Sequence, residues 1–393
     1  MDGTAAPTQQ GLSLLELIIA LALGAALSAG VIECCLMLRQ ADRVQRALAD
    51  MQQSARFIHA LLQDELRRAG NFGCDALAPP LHPDTWLRAP LPSALQAGAG
   101  IAGWEATNTG PATPIDSNPT LAPIDTDTPG AWRSSGKQIL ATSAALPHTD
   151  ILQLWGSDAA TANAPVLSFN AGISPLLSLG AVALDSGDFI TVSDCTTLTL
   201  LQVCRISAPA GQPPRRNLTL GGDCKPGNRN LTDLTLAPGS EVSKLNSTLY
   251  YLSKRGRRPA NPPALFRRTL RDDGTLGTPE ELVEGVASLQ LRYSEHSPDD
   301  AGHGVDHYVT ADRVSNWHKV ISVHVALLLQ SLEDQLVRVP QPYDFNALRY
   351  DGTPGNGPLP TDHRLRRTFE FTLALPHRLE RTTMNETQRQ HGE

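Results

Sequence analysis

The stretch Leu12 to Leu38 constrains this chain more than any other. It reads LSLLELIIALALGAALSAGVIECCLML, and Glu16 and Glu33 are its only charged residues. About 27 residues at ~1.5 Å each give a helix of ~40 Å, enough to cross a bilayer. A secretory signal peptide is one reading, with Ala26-Leu27-Ser28 as a small-x-small cleavage site. Against it, no Lys or Arg precedes the run, and the run exceeds a usual signal core. A plain signal anchor fits the length but gives no reason for Glu16. A carboxylate in hydrocarbon costs about 2.5 kcal/mol or more and so asks for a role. Glu33, near the outer end, has the simpler reading of a carboxylate that snorkels to the interface.

The helical pattern continues past the apolar run. Val44, Leu48, Met51, Ala55, Ile58, Leu62, Leu66 and Ala69 recur at three- and four-residue spacing, with Arg, Gln, Asp and Glu between them. No Gly or Pro interrupts Val31 to Ala69, and Gly70 supplies a stop. The sequence therefore predicts one helix from Leu12 to Ala69, about 58 residues and roughly 87 Å long. Its first half is apolar all round. Its second half is amphipathic and predicted to lie on a globular head.

Beyond the helix the chain changes character. The whole sequence of 393 residues holds 31 Gly and 30 Pro but only 5% aromatic residues, so loops and turns should be plentiful. Residues 75–147, rich in Ala, Pro, Gly and Thr, read as a loop-rich insertion. They include Gly98-Ala99-Gly100-Ile101-Ala102-Gly103, a G-x-G-x-x-G match with no strand before it and no βαβ alternation around it. Strand-like runs begin at Asp150: Ile151–Trp155, Phe189–Ser193, Leu198–Val203, Ser247–Leu252, Ala264–Thr269, Ala287–Tyr293, Val320–Leu329 and Phe369–Leu375. The expected fold is α+β, a long N-terminal helix packed on a mostly antiparallel sheet head with long loops.

Chemistry is hard to find in the sequence. There is no H-E-x-x-H, no G-x-S-x-G and no P-loop, so no catalytic residue and no cofactor is expected. The net charge of −7 argues against nucleic acid as a partner. His296, His303, His307 and His318 gather with Asp299, Asp300, Asp306 and Asp312, but their spacing follows no metal-ligand pattern and reads as a solvated loop. No metal site is expected. Cys34 and Cys35 lie in the apolar run. Cys74, Cys195, Cys204 and Cys224 lie outside it, with no C-x-x-C pair. Four such cysteines after a membrane segment point to an oxidising compartment and two disulfides, four free thiols being the alternative; spacing leaves three connectivities open.

Gly11-Leu12-Ser13-Leu14-Leu15-Glu16, followed by an apolar helix, resembles the class III signal of type IV prepilins. The stem's end narrows the resemblance to PilW-family minor pilins. It shows Arg56-Phe57, Glu65-Leu66-Arg67 and Ala69-Gly70-Asn71-Phe72-Gly73-Cys74. In the head, Phe189 to Asp194-Cys195, Leu249-Tyr250-Tyr251-Leu252 with Ala264 to Arg268, Leu282 to Tyr293, Val320 to Gln330 with Glu333-Asp334, and Arg366 to Phe369 continue it. The Leu282–Tyr293 block is also similar to the J-class minor pseudopilins of type II secretion. The segments 75–147, 205–245 and 294–316 lie outside the resemblance.

The resemblance implies a domain order: a prepilin leader at 1–11, a membrane and filament-core helix at 12–38, its amphipathic half at 39–70, and a periplasmic β-rich head at 71–393. A prepilin peptidase would cut after Gly11 and methylate Leu12. Glu16 would pair with the Leu12 amine of a neighbouring subunit, which neutralises two charges that are costly alone in lipid. Leu12 stands where the family usually has Phe, and the leader lacks basic residues, so orientation signals are sparse. Glu33 takes the place of a helix-kinking Pro common in major pilins, which suggests a minor subunit. The shared positions imply a Cys74–Cys195 bridge, leaving Cys204 and Cys224 to close a local loop. Implied partners are other minor pilins, the major pilin, the peptidase and the assembly machinery. Gly24, Ala25, Ala29 and Gly30 would let helices approach closely. The expected location is the bacterial inner membrane as a single-pass protein, and then the pilus, near its tip. The alternatives are a type II secretion pseudopilin and a signal-anchored periplasmic binding protein or enzyme.

Overall fold

The computed structural model describes residues 14–376 except 73–83, 89, 92, 97–98, 107–121, 124–131, 135–143, 159–160, 162, 173, 195–196, 208–214, 223, 238, 255–261 and 297–307. The chain divides into two compact units, Met1–Asp50 and Met51–Glu393.

In the first unit the described residues form one helical stretch, part of a helix assigned over Leu14–Arg68. Every residue from Leu14 to Arg39 is exposed. Farther on, Arg46 holds Asp42 at 2.5 Å and Arg43 donates to Gln40 at 3.5 Å, pairs one helical turn apart. The expected Leu12 and Ser13 lie outside the described residues.

The second unit opens with the last turns of that helix. Met51, Ala55, Ile58, Leu62 and Leu66 are buried, at the three- and four-residue spacing that places them on one face. Val44 and Leu48, read from the sequence as part of the same stripe, are only half-buried.

The head contains two principal sheets. The longer strand Glu241–Lys254 organises the larger one. Its second half pairs antiparallel with Ile151–Ser157 and Pro263–Thr269, and its first half with Phe189–Ser193 and Ala164–Asn170. Leu198–Gln202 extends the sheet beyond Phe189–Ser193, and Glu280–Glu284 extends it beyond Pro263–Thr269. The smaller sheet runs in the order Tyr308–Val309, Val286–Glu295, Val320–Gln330, Arg366–Ala374, all antiparallel. All eight strand-like runs read from the sequence are strands here. Two cores fill the larger sheet. One gathers Trp104, Trp155, Phe189, Leu249 and Tyr251, and the other gathers Val166, Leu177, Ile190, Leu201 and Leu218.

Two stretches depart from expectation. The sequence predicts a loop-rich insertion over residues 75–147, yet Ile101–Ala106 within it is a strand with Ile101 to Trp104 and Ala106 buried, paired antiparallel to Ile151–Ser157. Its sequence, IAGWEA, is poor in the β-branched residues that mark strands. Its small residues serve close packing instead: a Cβ on Gly103 would fall 2.0 Å from the Tyr293 hydroxyl. Gly100 and Gly103 are thus packing glycines, while Gly98 lies outside the described residues. No strand-like run is read from the sequence between Val203 and Ser247, but Arg205–Ser207 and Arg216–Thr219 pair with each other, and the latter also with Leu176–Leu179.

Candidate functional site

In the first unit, the large apolar side chains from Leu14 to Leu38 are all uncovered. Covering one such side chain is worth about 1.5–3 kcal/mol, so a run of them demands lipid or other protein around it. The helix is long and apolar enough to cross a membrane. Glu16 stands in its first described turn, where helical N–H groups favour a carboxylate. Gly11 and Leu12 lie outside the described residues. Gly24 and Gly30 leave two places on the helix without a side chain. Cys34 and Cys35 are exposed free thiols.

In the second unit, the end of the helix is seated by backbone rather than by side chains alone. Gly70 adopts a left-handed φ of +76° and turns the chain out of the helix. Its N–H donates to the Trp155 carbonyl at 2.8 Å, and the Ser157 N–H donates to the Asn71 carbonyl at 2.8 Å. Ala69 forms an antiparallel bridge with Gly156. The seat has no room for side chains. A Cβ on Gly156 would lie 2.0 Å from the Arg68 carbonyl oxygen, and one on Gly100 would lie 2.4 Å from the Gly70 Cα. Arg68 pairs with Asp64 at 2.5 Å and Glu65 at 3.1 Å. Burial raises the Glu65 carboxyl above its usual range, and the Arg68 charge works against that rise. On the smaller sheet, His59 meets Phe371 edge to face, with ring centroids 4.8 Å apart.

The cysteines fall as follows. Cys204 and Cys224 form a disulfide that closes a local loop. Cys74 and Cys195 lie outside the described residues. Their described neighbours are close: the Thr191 hydroxyl donates to the Phe72 carbonyl at 3.5 Å, and Thr191 belongs to the strand that ends at Ser193.

Of the His and Asp residues between 296 and 318, His303, His307, Asp299, Asp300 and Asp306 lie outside the described residues. The described ones have local roles. The His296 N–H donates to Lys319, the His318 N–H to Asn316, and Asp312 accepts from Thr310. Among the described residues, no group of three or more His, Cys, Asp or Glu could hold a metal ion.

One residue that the sequence did not single out joins the two sheets. Asp150 is buried, and its carboxylate accepts from the Ala106 N–H at 2.9 Å and the Leu291 N–H at 2.7 Å. Its own N–H donates to Leu289 at 2.9 Å. Ala106 belongs to the larger sheet and Leu289 and Leu291 to the smaller. Burial pushes the Asp150 carboxyl up to about 7, against the pull of those two N–H donors. An aspartate just before a strand gave no sign of this in the sequence.

Comparison with known proteins gives two matches. The prokaryotic N-terminal methylation motif matches residues 7–32, which include Gly11, Leu12 and Glu16. The family described as type IV pilus-assembly protein W matches residues 249–377, from within the long central strand to just past the last strand of the smaller sheet. No curated protein matches the chain. No solved structure matches it either.

Proposed function

We propose, from two matches consistent with a PilW-family pilin-like protein, that this chain is a minor pilin that helps initiate type IV pilus assembly within a tip or priming complex. The observation that carries the reading is the pairing of an uncovered apolar helix bearing Glu16 with a methylation motif over that same helix. A prepilin peptidase cuts after Gly11 and methylates Leu12. The chain then stands in the inner membrane with its head in the periplasm. Glu16 meets the Leu12 amine of a neighbouring subunit, and each charge removes the other's cost in hydrocarbon. The filament core replaces lipid around the apolar helix. The head makes the contacts that distinguish this subunit from the other minor pilins and the major pilin. The role is assembly rather than catalysis.

The match over residues 249–377 supports the pilus over the type II secretion alternative. Mass spectrometry of the mature N-terminus, from cells that contain a prepilin peptidase, tests the processing. The expected species begins at methylated Leu12. A chain beginning at Ala29, or retaining Met1, would overturn the reading. Pilus counts in cells lacking this chain then test the role: a normal number would remove initiation from the proposal.

A further inference from the structure

Among the described residues, the two principal sheets end in six strands, and five of them are poor templates for another chain. Asp84–Thr85, Trp132–Arg133 and Tyr308–Val309 have two residues each, and Arg205–Ser207 has three. Glu280–Glu284 has five, but it carries Glu280, Glu281 and Glu284, and charge deters pairing at an edge. The sixth, Arg366–Ala374, has nine residues, and after its two opening arginines only Glu370 is charged. Its register shows which backbone groups it offers. At one end the Leu375 N–H donates to the Ile321 carbonyl at 2.8 Å, and at the other the Ser331 N–H donates to the Leu365 carbonyl at 2.8 Å. Between them the odd-numbered residues bond inward to Val320–Gln330, and the even-numbered ones point their N–H and C=O away from the sheet. Among the described residues, nothing bonds to the outward backbone groups of Thr368, Glu370, Thr372 and Ala374. This edge lies beside the stem. His59 meets Phe371, Phe369 shares the face of Phe371, and both phenylalanines are only half-buried.

We propose that a β-strand from the head of a neighbouring, different pilin adds to the free edge of Arg366–Ala374 and continues the smaller sheet across the two subunits. The inference rests on the pilin reading and names the surface by which the head recognises its neighbour. Main-chain hydrogen bonds to the outward groups supply affinity, and alternate side chains supply selectivity. On the stem side, the incoming strand lays apolar side chains against Phe369 and Phe371 and completes their burial. On the other side, the exposed Glu370 favours a Lys or Arg directly across from it. The occupant is a pilin because edge and stem adjoin: a subunit packed against the His59 side of the stem already stands next to this strand. It is a different pilin because a minor subunit is surrounded by other subunits rather than by copies of itself. The contact also removes a hazard, since a long unpaired edge left open invites aggregation.

The test uses the full-length chain, expressed in one membrane with a prepilin peptidase and, in turn, with each other pilin of its filament, and scored by co-purification. Thr372→Pro removes an N–H that points away from the sheet, so the ladder to Val320–Gln330 keeps its bonds while the edge is spoiled as a template. It should lower co-purification with one of those pilins about tenfold, and Thr372→Val should leave it unchanged. Amide hydrogen exchange needs no variant: in the wild-type complex, residues 366–374 should exchange at least about tenfold more slowly than in the chain alone. If Thr372→Pro lowers the midpoint of thermal unfolding, the exchange measurement decides. A stable Thr372→Pro chain that co-purifies normally, or an edge that gains no protection in the complex, would overturn the proposal and leave the pilin reading standing. Protection of the edge by a second copy of this chain, with none from another pilin, would also overturn it. Co-purification with no other pilin at all would remove the pilin reading, and this proposal with it.

Discussion

Asp150 joins two sheets through a single side chain, and its titration should be visible in stability. The carboxyl is raised from an ordinary 3.8 to about 7, chiefly by burial, with Asp312 adding to the rise and Arg292 opposing it. A folded-state value above the unfolded one means that the folded form holds the proton more tightly. The stabilisation is complete below about pH 4 and is lost as pH rises through about 7. Thermal unfolding of the full chain in detergent should show this decline, and Asp150→Asn should flatten it. An unchanged slope in the variant would assign the pH dependence to other groups. Asp150→Ala leaves two buried N–H donors without an acceptor and should cost about 2–5 kcal/mol. Asp150 stands immediately before a strand-like run and looks like an ordinary turn residue. Its burial is set by a strand more than a hundred residues away, which local sequence does not report.

At the scale of elements, the helix end and the Cys204–Cys224 loop carry the clearest expectations. Gly156→Ala would drive a methyl group into the Arg68 carbonyl, where the obstacle is backbone and cannot swing aside. Overpacking of this kind costs about 1–3 kcal/mol, and Gly100→Ala adds the strain of a φ of +77° to a similar clash. Both variants should lower the midpoint of thermal unfolding; a Gly156→Ala chain as stable as wild type would mean that the seat yields. Replacing Cys204 and Cys224 together by Ser opens a loop of 20 residues and should cost about 3 kcal/mol by loop-closure entropy. Chemical denaturation under non-reducing conditions measures it. The main strands were legible because they are rich in Val, Ile, Leu and Tyr and bounded by turn residues, as in Val320–Gln330. Ile101–Ala106 was not, because alanine and glycine fill a strand that packs closely. The glycine pattern drew attention to the right place, but the cause is packing on Gly70 and Tyr293.

For the whole molecule, the first unit was the most readable part of the sequence. A continuous apolar run and a Gly-Leu-x-x-x-Glu pattern are local signals, and the helix and the matched motif coincide with them. The join between the helix and the head was less readable, because Gly100 and Gly156 become neighbours of Arg68 and Gly70 only after folding. Two outcomes test the molecule in its setting. Glu16→Gln should still enter the membrane but reach the pilus at least about tenfold less often, since the neighbour's amine then stays unneutralised in hydrocarbon. Immunoblots of sheared pili against membranes give that ratio, and an equal ratio would remove Glu16 from docking. Peptide mapping without reduction should find Cys74 joined to Cys195, as the Phe72–Thr191 contact supports; separate thiols there would leave the top of the stem held by hydrogen bonds and packing.

The seat of the helix also determines how the head bears tension. A pull that reaches Met51 along the helix leaves it through Ala69, Gly70 and Asn71, and these residues are tied by backbone hydrogen bonds to Ile151–Ser157. That strand is not at an edge. It is flanked by Ile101–Ala106 on one side and Glu241–Lys254 on the other. The load is therefore handed to the middle of a sheet, where several rows of hydrogen bonds share it, and the head resists being drawn off its stem as one body rather than unravelling strand by strand.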